Sequence, residues 1–472
     1  MVIKTLGIKR QICALSMKIM TTISPKLLQK YNVPAPRYTS YPTVPLWSDD
    51  LSENGWISLV QKAFEDFGES EGVTLYIHLP FCESLCTYCG CNKRITKNHN
   101  VETPYITSIM NEWEAYLKIF DDRPKLAGIH LGGGTPTFFS PESLNEMLSF
   151  IIGSAEVMPE AELSFEGHPN NTTRDHLQTL FDLGFRRVSY GIQDFNEEVQ
   201  KAIHRIQPFE RVKEATDVAR EIGYDSVNFD LIYGLPHQTL ETIKATFQKV
   251  AELKPDRIAF YSYAHLPTAF PAQRSFEKFL PLESEKRALY EGGKVLLSEM
   301  GYFEIGMDHF ALPNDPLYKA KVNKTLHRNF MGYTTSPSKI LIGLGNSSIS
   351  DVYYAYAQNT KEIDLYKEQI SLKHFAISKG HRMSKEDIKT RHLILNLICN
   401  QVAEWDFCYY SLLGKKNWDR LKVFKEEGLI EFDAKGIEIL PAGLPFIRNI
   451  CMVFDLRMQE KESAKFGFSK SI

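Results

Sequence analysis

Four cysteines fall within ten residues, Cys82, Cys86, Cys89 and Cys91, in the stretch LYIHLPFCESLCTYCGCN (75–92). The first three have the spacing C-x3-C-x2-C, with Cys91 two residues beyond. Thiolates bind soft metals: zinc, copper(I) or the irons of an iron–sulfur cluster. A four-ligand zinc site calls for two separated ligand pairs, whereas here three thiols share one tight loop and no second pair follows. Three cysteines on one loop suit a cubane with three ligated irons and a fourth left open for a small molecule. A cluster with four protein ligands mainly passes electrons; an open iron can hold a substrate or cofactor. Disulfide exchange is the competing chemistry, but it needs only two thiols. Cys399, Cys408 and Cys451 sit in helical or apolar surroundings and read as buried core thiols.

A second set of candidates follows further apolar segments. Gly132, Gly133, Gly134, Thr135 and Pro136 form a turn whose glycines let a ligand approach the backbone, where N–H and C=O groups can hold an amino group. A tight turn between strand and helix is the plainer explanation. Glu166 and Asp230 are acids within apolar segments, where an unpaired charge is costly to bury. They serve a site, or they form an internal ion pair, for instance with Arg205. Gln193 ends another apolar segment, Arg205 lies in HRIQ and Ala264 in YSYAHLP. His78, in Y-x-H before the cysteines, is a catalytic candidate or a hydrogen-bonded core residue. Residues 31–43, YNVPAPRYTSYPT, are rich in proline and tyrosine without a period. They read as an extended strap. Arg37, Tyr38 and Tyr41 are candidate ligand contacts within it.

The elements that must position these residues alternate. Strands are expected at 73–80, 126–132, 162–168, 187–192, 226–233 and 257–263, with helices at 105–119, 141–153, 174–183, 208–222 and 240–253. Six β-α units imply a parallel sheet with helices outside and right-handed crossovers. Six is too few for a closed eight-stranded barrel, so a partial barrel is expected, with ligands at the carboxyl ends of its strands. A helix over 51–67 precedes it; a helix over 283–300 and a strand over 339–345 follow. Helices at 385–399 and 418–427, then a hairpin over 429–440, resemble a winged helix. That segment shows no concentrated basic helix, which favours a lid or packing role over DNA binding. The expected divisions are a loose leader (1–20), strap and helix (21–72), barrel (73–350) and a mainly helical C-terminal domain (351–472), its tail at 459–472 polar.

Lysine and arginine number 55 against 58 acids, net charge −3, so no global basic field argues for nucleic acid. No run approaches the length of a membrane span. Lys9, Arg10 and Lys18 interrupt the apolar N-terminal stretch and no clean cleavage site follows, so it reads as a leader and not a signal peptide, with Met17 or Met20 as alternative starts. Crowded thiols without a disulfide pattern place the chain in a reducing, cytoplasmic compartment.

The cysteine motif, with Tyr88 before its last thiol, resembles the radical S-adenosylmethionine (SAM) family. LYIHLPFC with the trailing Cys91, GGGTPT and PRYTSYPT narrow the resemblance to the oxygen-independent coproporphyrinogen III dehydrogenases, over about 31–455. The resemblance implies a partial (β/α)6 barrel and a [4Fe-4S] cluster on Cys82, Cys86 and Cys89, with Cys91 a family marker and not a ligand. It implies two SAM molecules. Tyr76, Gly133, Glu166 and Ile349 look like contacts to the one on the cluster. Tyr88, Gly134, Thr135, Gln193, Arg205, Asp230 and Ala264 look like contacts to the second, where an acid can hold ribose hydroxyls and Arg205 a methionine carboxylate. Tyr76 and His78 stand nearest the chemistry. The implied reaction is oxidative decarboxylation of the ring A and B propionates of coproporphyrinogen III to vinyl groups, giving protoporphyrinogen IX in haem biosynthesis. It requires an electron donor such as flavodoxin or ferredoxin and an electron acceptor, on a chain expected to act as a monomer. Arg37, Lys93 and Arg94 lie near segments that could meet the substrate carboxylates. The competing functions are a haem chaperone of the same superfamily, whose members usually lack the C-x-C ending and the strap, and an iron–sulfur regulator acting on DNA, which would leave the strand-end acids without a task.

Overall fold

The computed structural model describes residues 24–48, 50–405, 412–460, 468 and 470. The expected leader, Cys408 and most of the polar tail lie outside the described residues. Contacts divide the chain into two compact units, Trp47–Ser384 and the combination of Met1–Leu46 with Lys385–Ile472.

The larger unit is built on one sheet. Its strands are β1 (Val73–Leu79), β2 (Lys125–Gly133), β3 (Glu156–Gly167), β4 (Arg187–Gln193), β5 (Ser226–Tyr233), β6 (Arg257–Ser262), β7 (Phe303–Gly306), β8 (His309–Ala311), β9 (Ile340–Leu344), β10 (Ile349–Asp351), β11 (Ala355–Asn359) and β12 (Ile377–Arg382). Their spatial order is β12-β11-β10-β9-β1-β2-β3-β4-β5-β6-β8-β7. The six expected strands run parallel in sequence order, and the partial barrel is the observed architecture. The strand expected at 339–345 is β9, which pairs parallel with β1, Tyr76 opposite Gly343. It makes a seventh parallel strand. The sheet then continues antiparallel through β10, β11 and β12, so its last strand ends at Arg382, within residues expected in the C-terminal domain.

Side chains alternate across the strands. In β1, Leu75, Ile77 and Leu79 enter the apolar layer under the helices, while Tyr76 and His78 take the other face. Helix Glu102–Phe120 covers β1 with Tyr105, Ile109, Trp113, Tyr116 and Phe120, a three-and-four spacing that keeps one stripe inward. Helix Pro141–Gly153 starts at an N-cap serine, Ser140, with proline at its first position. Helix Leu240–Leu253 starts at a reciprocal Thr239–Thr242 capping box. The face without helices is polar. At the amino end of its strands Glu162 pairs with Arg187, and Arg257 pairs with Asp315 at 2.7 Å and lies 3.8 Å from Glu162. Among the described residues no helix is long and apolar enough to cross a membrane.

In the smaller unit, helices Lys385–Asn400 and Gly414–Glu426 pack with a three-stranded antiparallel sheet of Val402–Glu404, Gly436–Ile439 and Ile430–Phe432. This is the expected winged-helix-like arrangement. The strap belongs to this unit. The Tyr31 ring stacks on Phe424 at 4.9 Å. Arg448 donates to the carbonyls of Ala35 and Pro36. Tyr38 is buried and donates to Asp455 at 3.1 Å.

One buried acid ties helix Glu102–Phe120 to the turn after β9. Glu112 accepts from the Gly345 N–H at 2.8 Å, Asn359 Nδ2 at 2.7 Å and the Tyr366 hydroxyl at 2.7 Å. Burial outweighs these bonds and pushes its carboxyl up to about 7 from the usual 4.5. The folded chain therefore holds this proton more tightly than the unfolded chain. Its stabilising effect is full below the unfolded value, declines as pH rises, and is lost above about 7, a change of about 3 kcal/mol. Thermal melts at about pH 5 and about pH 8 should show this loss in the native chain and not in Glu112→Gln, which is neutral throughout. An equal pH dependence in both proteins would contradict this account.

Candidate active site

The cysteine loop leaves the carboxyl end of β1 and is fastened along its whole length. Phe81–Cys82 pairs parallel with Arg94–Ile95. The Gly134 N–H donates to Leu79 O at 2.8 Å and the Thr135 N–H to Phe81 O at 3.0 Å. A Cβ on Gly134 would lie 2.6 Å from the Pro80 carbonyl, so this approach demands glycine. Further along, the Thr87 N–H reaches Ile203 O at 3.0 Å. Gln273 donates to Tyr88 O at 3.0 Å and to Ala264 O at 3.3 Å. Lys93 caps the carbonyls of Cys89 and Cys91 at 3.2 and 3.4 Å.

The thiols themselves meet polar partners. Cys82 Sγ lies 3.3 Å from the Thr135 hydroxyl, and Arg205 Nη1 donates to Cys86 Sγ at 3.4 Å. A hydrogen bond from Cys91 and the charge of Lys93 hold Cys89 down to about 6 against its burial. Cys82 is pushed up to about 11 by burial. Donors and positive charge beside sulfur favour thiolate, the form that binds metal. Among the described residues no three thiols, imidazoles or carboxylates converge as the ligands of one ion would; a cubane spreads three thiolates over three irons. The donor set fits a cluster.

Tyr76, Gly133, Glu166 and Ile349 are brought together beside this loop. The Gly133 N–H donates to Glu166 Oε2 at 3.3 Å. A Cβ on Gly132 would touch both Tyr76, at 3.0 Å, and Glu166, at 3.2 Å. Ile349, in β10, lies against Gly343, the β9 residue opposite Tyr76. His78 has both ring nitrogens engaged. Nε2 lies 3.1 Å from Asn92 O, a group that only accepts, so Nε2 carries the proton and Nδ1 accepts from the Tyr76 hydroxyl at 3.1 Å. Burial lowers this imidazole to about 4, so it is neutral at ordinary pH. It orients Tyr76, which favours a positioning role over the catalytic one expected from its place in the motif.

Of the second set, Gln193, Arg205 and Asp230 gather across β4 and β5, whereas Gly134 and Thr135 lie at the end of β2 and Tyr88 and Ala264 share the Gln273 amide. The β4–β5 register slips between Gly191 and Gln193. At this irregularity Gln193, at φ 67°, and Arg205 both close over Gly191. Arg205 donates to Gly191 O through Nε and Nη2, at 3.1 and 2.7 Å. It therefore does not form the ion pair considered for Glu166 or Asp230. Asp230 accepts from Ser189 Oγ at 3.4 Å, and burial with Glu166 nearby pushes its carboxyl up to about 7. Gln193 Oε1 is buried with no hydrogen-bond partner. Buried polar atoms are seldom left so, and a donor on a ligand would satisfy it. Ala264 is exposed at the end of β6, and Tyr88 packs beside Val199, Ile203 and Phe276.

The amide N–H groups of Gly133, Gly134 and Thr135 are all committed to protein acceptors. A ligand ammonium, itself a donor, needs carbonyls or Glu166 here, which narrows the expectation for the glycine turn. Arg94 forms an ion pair with Asp364 at 2.9 Å and Lys93 closes the cysteine loop, so both have protein partners. Sequence reasoning missed Gln273, for which a polar residue in an irregular segment gives no signal. It also missed Phe330, edge-on to Tyr76 at 5.7 Å, although N-F-M-G between polar and aromatic residues is a legible turn.

Residues 76–250 match the Radical SAM superfamily model. The oxygen-independent coproporphyrinogen III oxidase of Helicobacter pylori (strain J99) is 38% identical, over 94% of this chain and 100% of that protein. That of Escherichia coli K12 is 38% identical, over 92% of this chain and 95% of that one. The chain belongs to the oxygen-independent coproporphyrinogen III oxidase family. The solved structure described as coproporphyrinogen III oxidase (HemN) from Escherichia coli, a radical SAM enzyme, superposes with a TM-score of 0.83, covering 89% of this chain and 97% of that one at 37% identity. As a member of this family the chain carries a [4Fe-4S] cluster and uses SAM. Under anaerobic reconstitution, Cys82→Ala should leave the chain without cluster iron or the cluster's visible absorption, whereas Cys91→Ala should retain both. Loss of iron in the Cys91 variant would make that thiol a ligand.

Proposed function

We infer that this chain converts coproporphyrinogen III to protoporphyrinogen IX by oxidative decarboxylation of two propionates, a step of haem biosynthesis. The observation that carries the reading is the three-thiol loop, fastened beside two strand-end acids and the unpartnered carbonyl of Gln193. When bound, the reduced cluster and SAM supply a carbon radical that removes one hydrogen atom from a propionate side chain. Each propionate loses that hydrogen, carbon dioxide and one electron, leaving a vinyl group. The electron passes to an acceptor, and a low-potential carrier such as flavodoxin or ferredoxin is the proposed source of the reducing electron. The free thiols of the site support a reducing, cytoplasmic setting.

The chain's own residues hold and orient. Tyr76, Gly133, Glu166 and Ile349 are the proposed contacts to a SAM at the cluster. Their support is that strand register and the close approach at Gly132 and Gly133 gather them around Tyr76 of β1, the strand from whose end the cysteine loop leaves. Tyr88, Gly134, Thr135, Gln193, Arg205, Asp230 and Ala264 are the proposed contacts to a second SAM. Asp230, with its carboxyl near 7, can accept from or donate to ribose hydroxyls. Arg205 sets the cysteine loop against Gly191 whatever else it binds. His78 keeps the Tyr76 hydroxyl aimed, and the apolar packing of Tyr88 shields one side from water.

Anaerobic incubation with coproporphyrinogen III, SAM, a reductant and an electron acceptor should yield 5′-deoxyadenosine, carbon dioxide and divinyl product. An intact cluster with neither 5′-deoxyadenosine nor vinyl product would reject the reading, and co-purified haem without turnover would favour a chaperone.

A further inference from the structure

A short hairpin bridges strands far apart in the sheet. His327–Asn329 and Gly332–Thr334 pair antiparallel, with Arg328 opposite Tyr333. At its tip, Phe330 stands edge-on to Tyr76 of β1, 5.7 Å between ring centres. On its other side, the Tyr333 ring lies 5.3 Å from His309 of β8, and its hydroxyl fills the space a Cβ on Gly306 of β7 would need. β1 and β8 stand six places apart in the sheet. A hairpin touching both must cross the face that carries Tyr76 and Glu166.

Arg328 sits on this hairpin, 7% exposed. Its Nε and Nη1 are buried without a hydrogen-bond partner. One face of its guanidinium rests on the Tyr333 ring at 4.6 Å. The other arginines of this face have acceptors: Arg187 pairs with Glu162, although its Nε is also unpartnered, Arg257 pairs with Asp315, and Arg205 donates to Gly191 O and Cys86. A buried guanidinium without an acceptor is costly. Its planar fork is suited to a carboxylate. The Tyr333 ring beside it helps hold the guanidinium in place, while its Nε and Nη1 keep unused donors.

We propose that Arg328 binds a propionate carboxylate of the tetrapyrrole substrate. The proposal rests on the function inferred above. Coproporphyrinogen III has four propionates, of which two survive the reaction, so a carboxylate is available to an anchor through both decarboxylations. The methionine moiety of SAM offers the same chemistry from a second source, and the test separates the two.

The test uses anaerobically reconstituted wild-type protein, Arg328→Gln and Arg328→Lys. Binding of coproporphyrin III and of its tetramethyl ester is read by porphyrin fluorescence, and SAM affinity by the change SAM causes in the cluster's electron paramagnetic resonance signal. Arg328→Gln should weaken binding of the tetra-acid about tenfold or more, as expected for a lost charge-assisted hydrogen bond. Binding of the ester, SAM affinity and iron content should stay at wild-type values. Arg328→Lys should fall between, because it keeps the charge and loses the fork. An equal loss for acid and ester, or no loss, overturns the proposal; a loss confined to SAM assigns the carboxylate to methionine and overturns it too. If Arg328→Gln does not fold, the lysine variant decides, and wild-type discrimination of acid from ester in that protein rejects the proposal. Wild-type protein that binds coproporphyrin III but forms no vinyl product rejects the functional reading alone.

Discussion

Two backbone hydrogen bonds, Gly134 N–H to Leu79 O and Thr135 N–H to Phe81 O, fix the cysteine loop to the end of β2. They form because Gly134 has no side chain and can lie against the Pro80 carbonyl. Much of the site depends on this closeness. It sets Cys82 beside the Thr135 hydroxyl and puts the Gly133 N–H within reach of Glu166. It also places the cysteines at the carboxyl ends of the strands, where the parallel sheet opens. A metal-binding loop is otherwise a poor folding unit, since thiols give little packing until metal arrives. Here the backbone bonds and the side chains of Thr87, Gln273 and Lys93 hold its course.

The face of the sheet away from the helices shows how a protein places acids on a half-buried surface. At the amino end of the strands, charges balance: Glu162, Arg187, Arg257 and Asp315 pair with one another. Toward the carboxyl end the balance is left open. Asp230 has only Ser189, and burial with Glu166 nearby lifts its carboxyl to about 7. Gln193 Oε1 has no donor opposite it, and on the hairpin that crosses this face two nitrogens of Arg328 have no acceptor. Closed polar networks give a rigid floor, and open ones mark where ligands complete the bonding.

A neutral relay links this face to the rest of the fold. Tyr76 donates to His78, and His78 donates to Asn92 at the end of the cysteine loop. Asn92 Oδ1 in turn accepts from Asn346, in the turn between β9 and β10. Asn346 also binds the Tyr105 hydroxyl, at 2.7 Å to its side chain and 3.1 Å to its backbone. The turn that leads to Ile349 is thereby held to the same loop that carries the thiols, although the two are some 260 residues apart.

The sequence by itself determined the elements and the ligand chemistry. Alternating apolar strands and striped helices set the partial barrel, because burying a strand or a helix stripe is a local pattern with a fixed period. The cysteine spacing and the GGGTP turn were legible for the same reason: their residues are neighbours in the chain. The tertiary structure decided what depends on distant partners. β9 became a seventh parallel strand because its register with β1 is a long-range fact, and the strap joined the C-terminal helices because Tyr31 and Tyr38 find Phe424 and Asp455 there. Whether Arg205 would neutralise an acid or brace a loop depended on which acceptor its fork could reach, and that was the Gly191 carbonyl. Pattern reports which side chains are buried; only the fold reports which of them are left without a partner.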